Sequence, residues 1–429
     1  MRGYLIDLTP LRLSPAYRRL WMGGALSSIG STLTSVVVSL QVYDLTGSTL
    51  SVGLVGLAAF VPLVGLGLYG GSIVDAYDRR RVLVVTQIGL GLVGVAFVAM
   101  SVTDTATPVL LYAAVAVQSG FFAVHSPART AVIPRLVPLE LLPAANALGS
   151  LAMGVSLAVG PLVGGVLVDT AGYGWAYSIQ VGLVIAALPL LATLPSLPPE
   201  GDVRKAGIAS VIEGLHFLRA RPTIAMTFVA DLYAMVLAMP RVLFPAVAVT
   251  VIGGDATTVG ILVGGIAVGT LLGGVFSGRL GRVNRQGRAI VIAVALWGVF
   301  VAAFGILVAV APGPMPGGGA NWVLWPATIV LALAGAADTV SAVFRTTILQ
   351  AATPDALRGR LQGVFIMVVA GGPQLGALVL GAVAARTGEA LSAVLGGTVC
   401  ALLVLVTALR QRGLLQYDAR HQPVGSTRP

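Results

Sequence analysis

The sequence predicts an all-α polytopic membrane protein, with twelve transmembrane helices in two pseudo-symmetric six-helix halves and both termini in the cytoplasm. Three observations carry that expectation. There are twelve apolar runs of membrane-spanning length, arginine-rich and arginine-poor connections alternate between them, and residues of the first half recur in the second. Crossing roughly 30 Å of hydrocarbon takes about 20 mostly apolar residues in a helix, because unpaired backbone groups are too costly in lipid. The composition agrees: 57% of the 429 residues are hydrophobic and 10% charged, against about 25% charged in globular domains.

Residues 1–19 are polar, with neither a short separate apolar region nor a small-residue cleavage site, so the first run, near 20–43, is expected to remain as an anchor. It ends at Asp44, and the second run, near 50–74, leads into Arg79, Arg80 and Arg81. The third, near 82–102, ends at Asp104; the fourth, near 108–128, leads into Arg129 and Arg135. The fifth, near 143–168, ends at Asp169, and the sixth, near 175–195, opens the longest polar interval, which reaches Pro222. Within that interval residues 208–218 have helical apolar spacing and read as a helix lying along the membrane surface. The seventh run, near 223–250, is followed by Asp255, and the eighth, near 257–278, by Arg279, Arg282, Arg285 and Arg288. The ninth, near 289–311, precedes the long connection 312–321; the tenth, near 322–344, leads to Arg345, Arg358 and Arg360. Runs near 361–384 and 390–409 complete the set.

Of the 26 basic residues behind the net charge of +10, all but Arg241 and Arg386 fall on one side of this arrangement, and basic connections stay in the cytoplasm. Orientation therefore accounts for the charge, and no nucleic-acid partner is expected. The halves are an N-terminal six-helix bundle over 1–195, a cytoplasmic central linker over 196–222, and a C-terminal six-helix bundle with a cytoplasmic tail over 223–429. The 55 glycines follow no collagen-like period and read as helix-packing surfaces. A single cysteine, Cys400, excludes an intrachain disulfide, and no Cys/His spacing suits a metal. There is no phosphate-binding GxxxxGK[ST] loop and no catalytic constellation, so the chain does not read as an enzyme.

Internal repetition ties the halves together. Arg129-Thr130 with Pro138 and Leu141 recurs as Arg345-Thr346 with Pro354 and Leu357, displaced by 216 residues throughout. Gly160-Pro161-x-x-Gly164 recurs as Gly372-Pro373-x-x-Gly376, displaced by 212, and Gly71 has a counterpart in Gly274, displaced by 203. Duplicated six-helix halves are a known way to build a transporter with its site between them.

Charges at lipid depth are the strongest candidates for function, since a carboxylate at a helix centre costs at least about 2.5–3.5 kcal/mol on insertion scales. They are Asp231 and Arg241 in run seven and Asp338 in run ten. Asp231 and Arg241 lie about 15 Å apart along one helix and cannot pair, so each is expected to need another partner, water or a proton. Asp338 precedes Arg345 on one helical face by about 10 Å, a separation suited to a water-bridged link. Asp231 or Asp338 either titrates during transport or forms a fixed hydrogen-bonded strut. His125 shares a face with Arg129 and serves either proton transfer or packing.

The loop Gly71-x-x-x-Asp75-x-x-x-Arg79-Arg80 resembles the cytoplasmic signature of the major facilitator superfamily, although Ala76 and Asp78 stand where that pattern has a basic residue and a glycine. Glycine permits close helix approach, and an aspartate at a helix end pairs with arginine and with helix N-termini. Together with Arg129 and Arg345 the loop is expected to form a cytoplasmic gate; the plainer reading is an orientation signal. Gly154, Gly160, Pro161, Gly164 and Gly165 of run five resemble the superfamily's export signature, or serve simple packing. From about residue 11 to 412 the chain resembles the enterobactin-exporter-like group of siderophore and drug effluxers. That resemblance stands on Tyr43-Asp44-Leu45-Thr46-Gly47-Ser48, Asp78-Arg79-Arg80-Arg81, Ser126-Pro127-Ala128-Arg129, Met239-Pro240-Arg241-x-x-x-Pro245 and Pro354-Asp355-x-x-Arg358-Gly359-Arg360.

The resemblance implies the major facilitator fold in a bacterial-type inner membrane. It also implies proton-coupled export of a siderophore-like metabolite or drug by alternating access, with Asp231, Arg241, Asp338 and His125 serving substrate or proton coupling. A lipophilic cation suits the buried carboxylates and an anionic siderophore suits Arg241; import by the same fold is a third reading. No cofactor is expected beyond a proton gradient as energy source. The expected partners are a small-molecule substrate and the lipid bilayer, and the chain is expected to work as a monomer.

Overall fold

The computed structural model describes residues 7–198, 216, 218–219, 221–275, 285–315, 319–352, 355–415 and 417, without the side chains of 68, 70–72, 75, 222–223, 275, 350–367, 412 and 414. Several predicted features therefore lie outside the described residues: the surface helix at 208–218 in most of its length, the second loop copy at 278–282, and the side chains of Asp75, Arg358 and Arg360.

Among the described residues the chain is entirely helical, and twelve helices are long and apolar enough to cross a membrane. They are α1 (Pro15–Thr46), α2 (Thr49–Ala76), α3 (Arg79–Val102), α4 (Pro108–Leu136), α5 (Leu142–Ala171), α6 (Tyr173–Ala192), α7 (Ile224–Ile252), α8 (Ala256–Val275), α9 (Gln286–Ala309), α10 (Leu324–Ala352), α11 (Asp355–Thr387) and α12 (Glu389–Arg410). A short helix, Thr9–Leu13, precedes them. Helices α4 and α10 continue past their apolar runs, so that Arg129 and Arg345 lie inside helices rather than in connections.

Helix α7 is broken, which the apolar run did not anticipate. An α-helical stretch, Pro222–Leu232, passes through a π-turn, Tyr233–Leu237, into a short 3-10 turn, Pro240–Leu243, and a second π-turn, Val247–Ile252. Pro240 and Pro245 cannot donate backbone hydrogen bonds, and the residue before a proline avoids helical geometry; Met239 is accordingly extended. The carbonyl of Ala238 is taken instead by the indole N–H of Trp297 on α9, at 3.0 Å. Gly253 ends the element with φ +74, a left-handed conformation suited to glycine.

The contacts divide the chain into two compact units, Met1–Leu45 with Ala58–Gly207, and Thr46–Leu57 with Ile208–Pro429. In the first, Ser27 donates to Gln87 and Gln41 donates to Ser101. Both pairs are separated by 60 residues, so α1 and α3 run parallel in constant register. Tyr177 of α6 stacks on Phe97 with ring centroids 5.0 Å apart, and its hydroxyl donates to Gln41 at 2.8 Å. Gly160 and Gly164 of α5 lie against α1: a Cβ on Gly160 would collide with Thr32, and one on Gly164 would crowd Val37 and Leu33.

In the second unit small residues bring helix backbones together. A Cβ on Gly269 of α8 would coincide with the carbonyl of Ala332 on α10, and one on Gly335 of α10 would meet the carbonyl of Ile266. Gly298 of α9 and Gly397 of α12 face each other in the same way. The first turns of α2 belong here too: Gly53 and Gly56 lie against the backbone of Ala377 and Gln374, and Thr49 donates to Glu389 at 2.8 Å. Lipid offers no hydrophobic drive between helices, so close backbone approach and dispersion supply the association.

Gly269→Ala should therefore destabilise the protein by about 1–3 kcal/mol through overpacking. Gly65→Ala, where nothing lies within 4 Å, should leave stability unchanged. Thermal unfolding in detergent compares them, and equal midpoints would show that the α8–α10 contact is not close-packed.

Candidate functional site

Two helices of the second unit converge on a charge cluster. Arg345 of α10 is 4% exposed and pairs directly with Asp231 of α7, which is 2% exposed. Its other terminal nitrogen lies 3.5 Å from Asp338, whose side chain is 30% exposed. Helical side chains lean toward the N-terminus, so the long arginine side chain reaches back along α10 to Asp338 without a bridging water. This corrects the expected water-bridged link, and it places Arg345 as the partner that Asp231 lacked in the sequence reading.

Arg241, in the broken part of α7, is within electrostatic reach of Asp338. The Nε atoms of Arg241 and Arg345, Oδ2 of Asp231 and the hydroxyl of Ser341 are buried without a hydrogen-bond partner among the described residues. Buried polar groups are normally satisfied, so these atoms mark positions suited to water or a polar ligand group.

The first unit carries a contrasting arrangement. Arg129 is half-buried against α1, its terminal nitrogen 3.4 Å from the Ser28 hydroxyl, and a Cβ on Gly24 would lie 3.0 Å from that nitrogen. His125, one turn earlier and 5% exposed, has Nδ1 2.9 Å from the hydroxyl of Thr86. That hydroxyl also donates to the carbonyl of Val82 at 2.8 Å. The His125 ring is oriented by packing and by this contact, in which Nδ1 donates to or accepts from the hydroxyl according to the tautomer. Thr86 also borders an apolar groove of about 730 Å³ among α2, α3 and α4, in which Arg81 is the one charged lining residue among those described.

Of the arginine loop, Arg79 and Arg80 are placed, while the surroundings of Gly71 and Asp75 lie outside the described residues. The guanidinium groups donate to backbone carbonyls, Arg79 to Ala131 and Arg80 to Leu194, each at 3.3 Å. Asp78, a departure from the superfamily pattern, caps α3: it accepts from the Arg80 N–H at 2.9 Å, the Leu197 N–H at 3.2 Å and the Ser196 hydroxyl at 2.5 Å. The loop thereby holds the chain leaving α6 onto the start of α3. An aspartate directly before a helix rich in arginine was the legible signal for that cap. Burial would raise the Asp78 carboxyl, but hydrogen bonds from Ser196 and from the N–H groups of Leu197, Arg80 and Arg81 outweigh it and hold its pKa below the usual carboxylate range. In helix five, Gly154, Gly160, Pro161, Gly164 and Gly165 are all buried.

A depressed folded-state pKa stabilises above the unfolded value and loses that stabilisation as pH falls through the folded value. Asp78→Ala should lower stability by about 0.5–2 kcal/mol near neutral pH, as loss of a helix cap does. The difference from the parent should shrink as pH falls through the depressed folded-state pKa and be lost below it. Detergent melts across pH check this, and a gap that persists in acid would mean the carboxylate charge is not what holds the loop.

Comparison with known proteins agrees with this architecture. The family described as transmembrane secretion effectors matches residues 6–426. The enterobactin exporters EntS of Shigella boydii serotype 18 and Escherichia coli O81 are each 31% identical over 423 residues, covering 96% of this chain and 97% of theirs. In fold, the chain is similar to the nucleoside transporter NupG, with TM-score 0.66, 15% identity and coverage of 94% and 100% of the two chains. It is likewise similar to a POT family transporter, with TM-score 0.70, 10% identity and coverage of 93% and 96%. On the match across its length and the 31% identity, the chain belongs to the transmembrane secretion effector family of the major facilitator superfamily and is a multi-pass transporter of the bacterial inner membrane.

Proposed function

We propose that this transporter exports a siderophore-like metabolite from the cytoplasm, driven by the proton gradient through alternating access of its two halves. The similarity to enterobactin exporters over nearly the whole length supports the cargo class and the direction. The observation that carries the coupling is one guanidinium, Arg345, shared by two carboxylates. The three groups together hold a net negative charge when both carboxylates are ionised, and a proton on one of them removes it. Asp338 is the better proton acceptor: it is the more exposed and the less closely paired, whereas Asp231 is the strut that keeps Arg345 compensated. Arg79, Arg80, Arg129 and the Gly71–Asp75 stretch belong to the cytoplasmic side in this reading, with both termini there, and the protein works as a monomer without a cofactor.

The test is proteoliposomes loaded with a pH-sensitive dye and given either a catecholate siderophore or a lipophilic cation. Siderophore-dependent proton movement is the expected result. Proton movement with the cation alone would replace this reading by multidrug efflux, which the half-buried carboxylate of Asp338 would also suit. Asp338→Asn should fold and bind but lose pH-driven flux, whereas Asp231→Asn should cost about 3 kcal/mol or more of stability by stripping a buried cation of its closest counter-charge. Unchanged proton-driven turnover in Asp338→Asn would defeat the coupling assignment.

A further inference from the structure

The duplicated halves place the same arginine in two different settings. Arg345 meets Asp231 from the first helix of its half and Asp338 from its own helix. Arg129, its counterpart 216 residues earlier, meets Gly24 and Ser28 from the first helix of its half, and the position matching Asp338 is Phe122. Both acidic partners are therefore replaced. Apart from the 3.4 Å hydrogen bond to Ser28 and the electrostatic neighbourhood of Tyr17 and His125, Arg129 has no partner among the described residues. The Tyr17 hydroxyl proton is committed to the carbonyl of Ala145 at 2.7 Å, and tyrosine offers no negative charge in its ordinary protonated form. Arg129 as a whole is partly exposed, and none of its side-chain nitrogens is among the buried atoms left without a partner in the described residues.

We infer that Arg129, with the Ser28 hydroxyl beside it, is an anion-recognition site for the exported molecule and takes one carboxylate or catecholate group. The inference rests on the proposed export function for the identity of the cargo, but not for the chemistry of the site. A planar guanidinium donates two parallel N–H groups to such an oxygen pair, and a neighbouring hydroxyl adds a third donor. Gly24 lets the head group lie against α1: a methyl there would sit 3.0 Å from Nη1 and 3.2 Å from Cδ, displacing the head group without removing its charge.

The full chain in nanodiscs of zwitterionic lipid is titrated with 2,3-dihydroxybenzoate and, separately, with its uncharged amide. The parent should bind the anion saturably and more tightly than the amide. Arg129→Gln should weaken the anion by about tenfold or more and leave the amide unchanged, as loss of a charge-assisted hydrogen bond does. Arg129→Lys and Gly24→Ala, which keep the charge, should weaken it by smaller factors, and melting midpoints confirm that each variant folds. Equal loss for anion and amide, full affinity in Arg129→Gln, or no saturable binding by the parent up to about 10 mM would each overturn the inference. So would complete suppression of the Arg129 dependence by added anionic lipid, which would assign the site to a headgroup. Siderophore flux is read independently in proteoliposomes. Absent flux with intact Arg129-dependent binding removes the siderophore cargo and keeps the site, while flux undiminished in Arg129→Gln does the reverse.

Discussion

A guanidinium inside a helical bundle must be compensated, and in this protein the compensation of Arg345 organises the second unit. Isolated charge at lipid depth is expensive, and pairing, hydrogen bonding or water has to offset it. Asp231 supplies the close contact from α7 and Asp338 the more open one from α10, so the pair of helices is joined by charge as well as by packing. The arrangement also explains why α10 continues through Arg345 instead of ending with its apolar run, since an arginine that is neutralised within the bundle no longer has to reach the aqueous edge.

The break in α7 belongs to the same region. Two prolines remove donors from the ladder, and a membrane helix tolerates this only where other groups satisfy the freed carbonyls. Trp297 does so for Ala238, and Arg241 stands three residues beyond, with its Nε unsatisfied by protein. Irregular backbone beside unsatisfied polar atoms is the architecture by which transporter folds expose polar groups to a cargo. The glycine contacts between α8 and α10 and between α9 and α12 are the rigid counterpart: there backbones nearly touch, and nothing larger than hydrogen fits.

How much of this the sequence discloses depends on the range of the interaction. The twelve spans were legible because membrane thickness imposes a length on every helix, and each predicted run lies within a helix to a few residues apart from the polar ends of α4, α10 and α11. The pairing of Asp231 with Arg345 was not legible. It joins residues 114 apart, and hydropathy along one helix says nothing about which face of another will meet it. Asp338 and Arg345 misled for a different reason, because axial rise measures the separation of backbones and ignores the reach of an arginine. The break in α7 had its signal in Pro240 and Pro245, outweighed by the apolar character of the run. Asp78 read as a deviation because its role, capping α3 and holding Ser196 and Leu197, depends on a segment that returns only after three more helices.

Duplication supplies the last step. Two halves that began with the same chemistry at Arg129 and Arg345 need not keep it, and the differences between them show which charges serve architecture. In the second unit, two carboxylates meet the arginine's terminal nitrogens, Asp231 closely and Asp338 more openly. In the first, glycine and serine stand in contact with the cation, so its cost is met by partial exposure rather than by pairing. A cation with no carboxylate partner among the described residues confers nothing on helix packing that a neutral residue would not confer more cheaply. Its persistence beside a glycine and a serine, with no carboxylate partner among the described residues, is understandable if its counter-charge arrives from outside the chain.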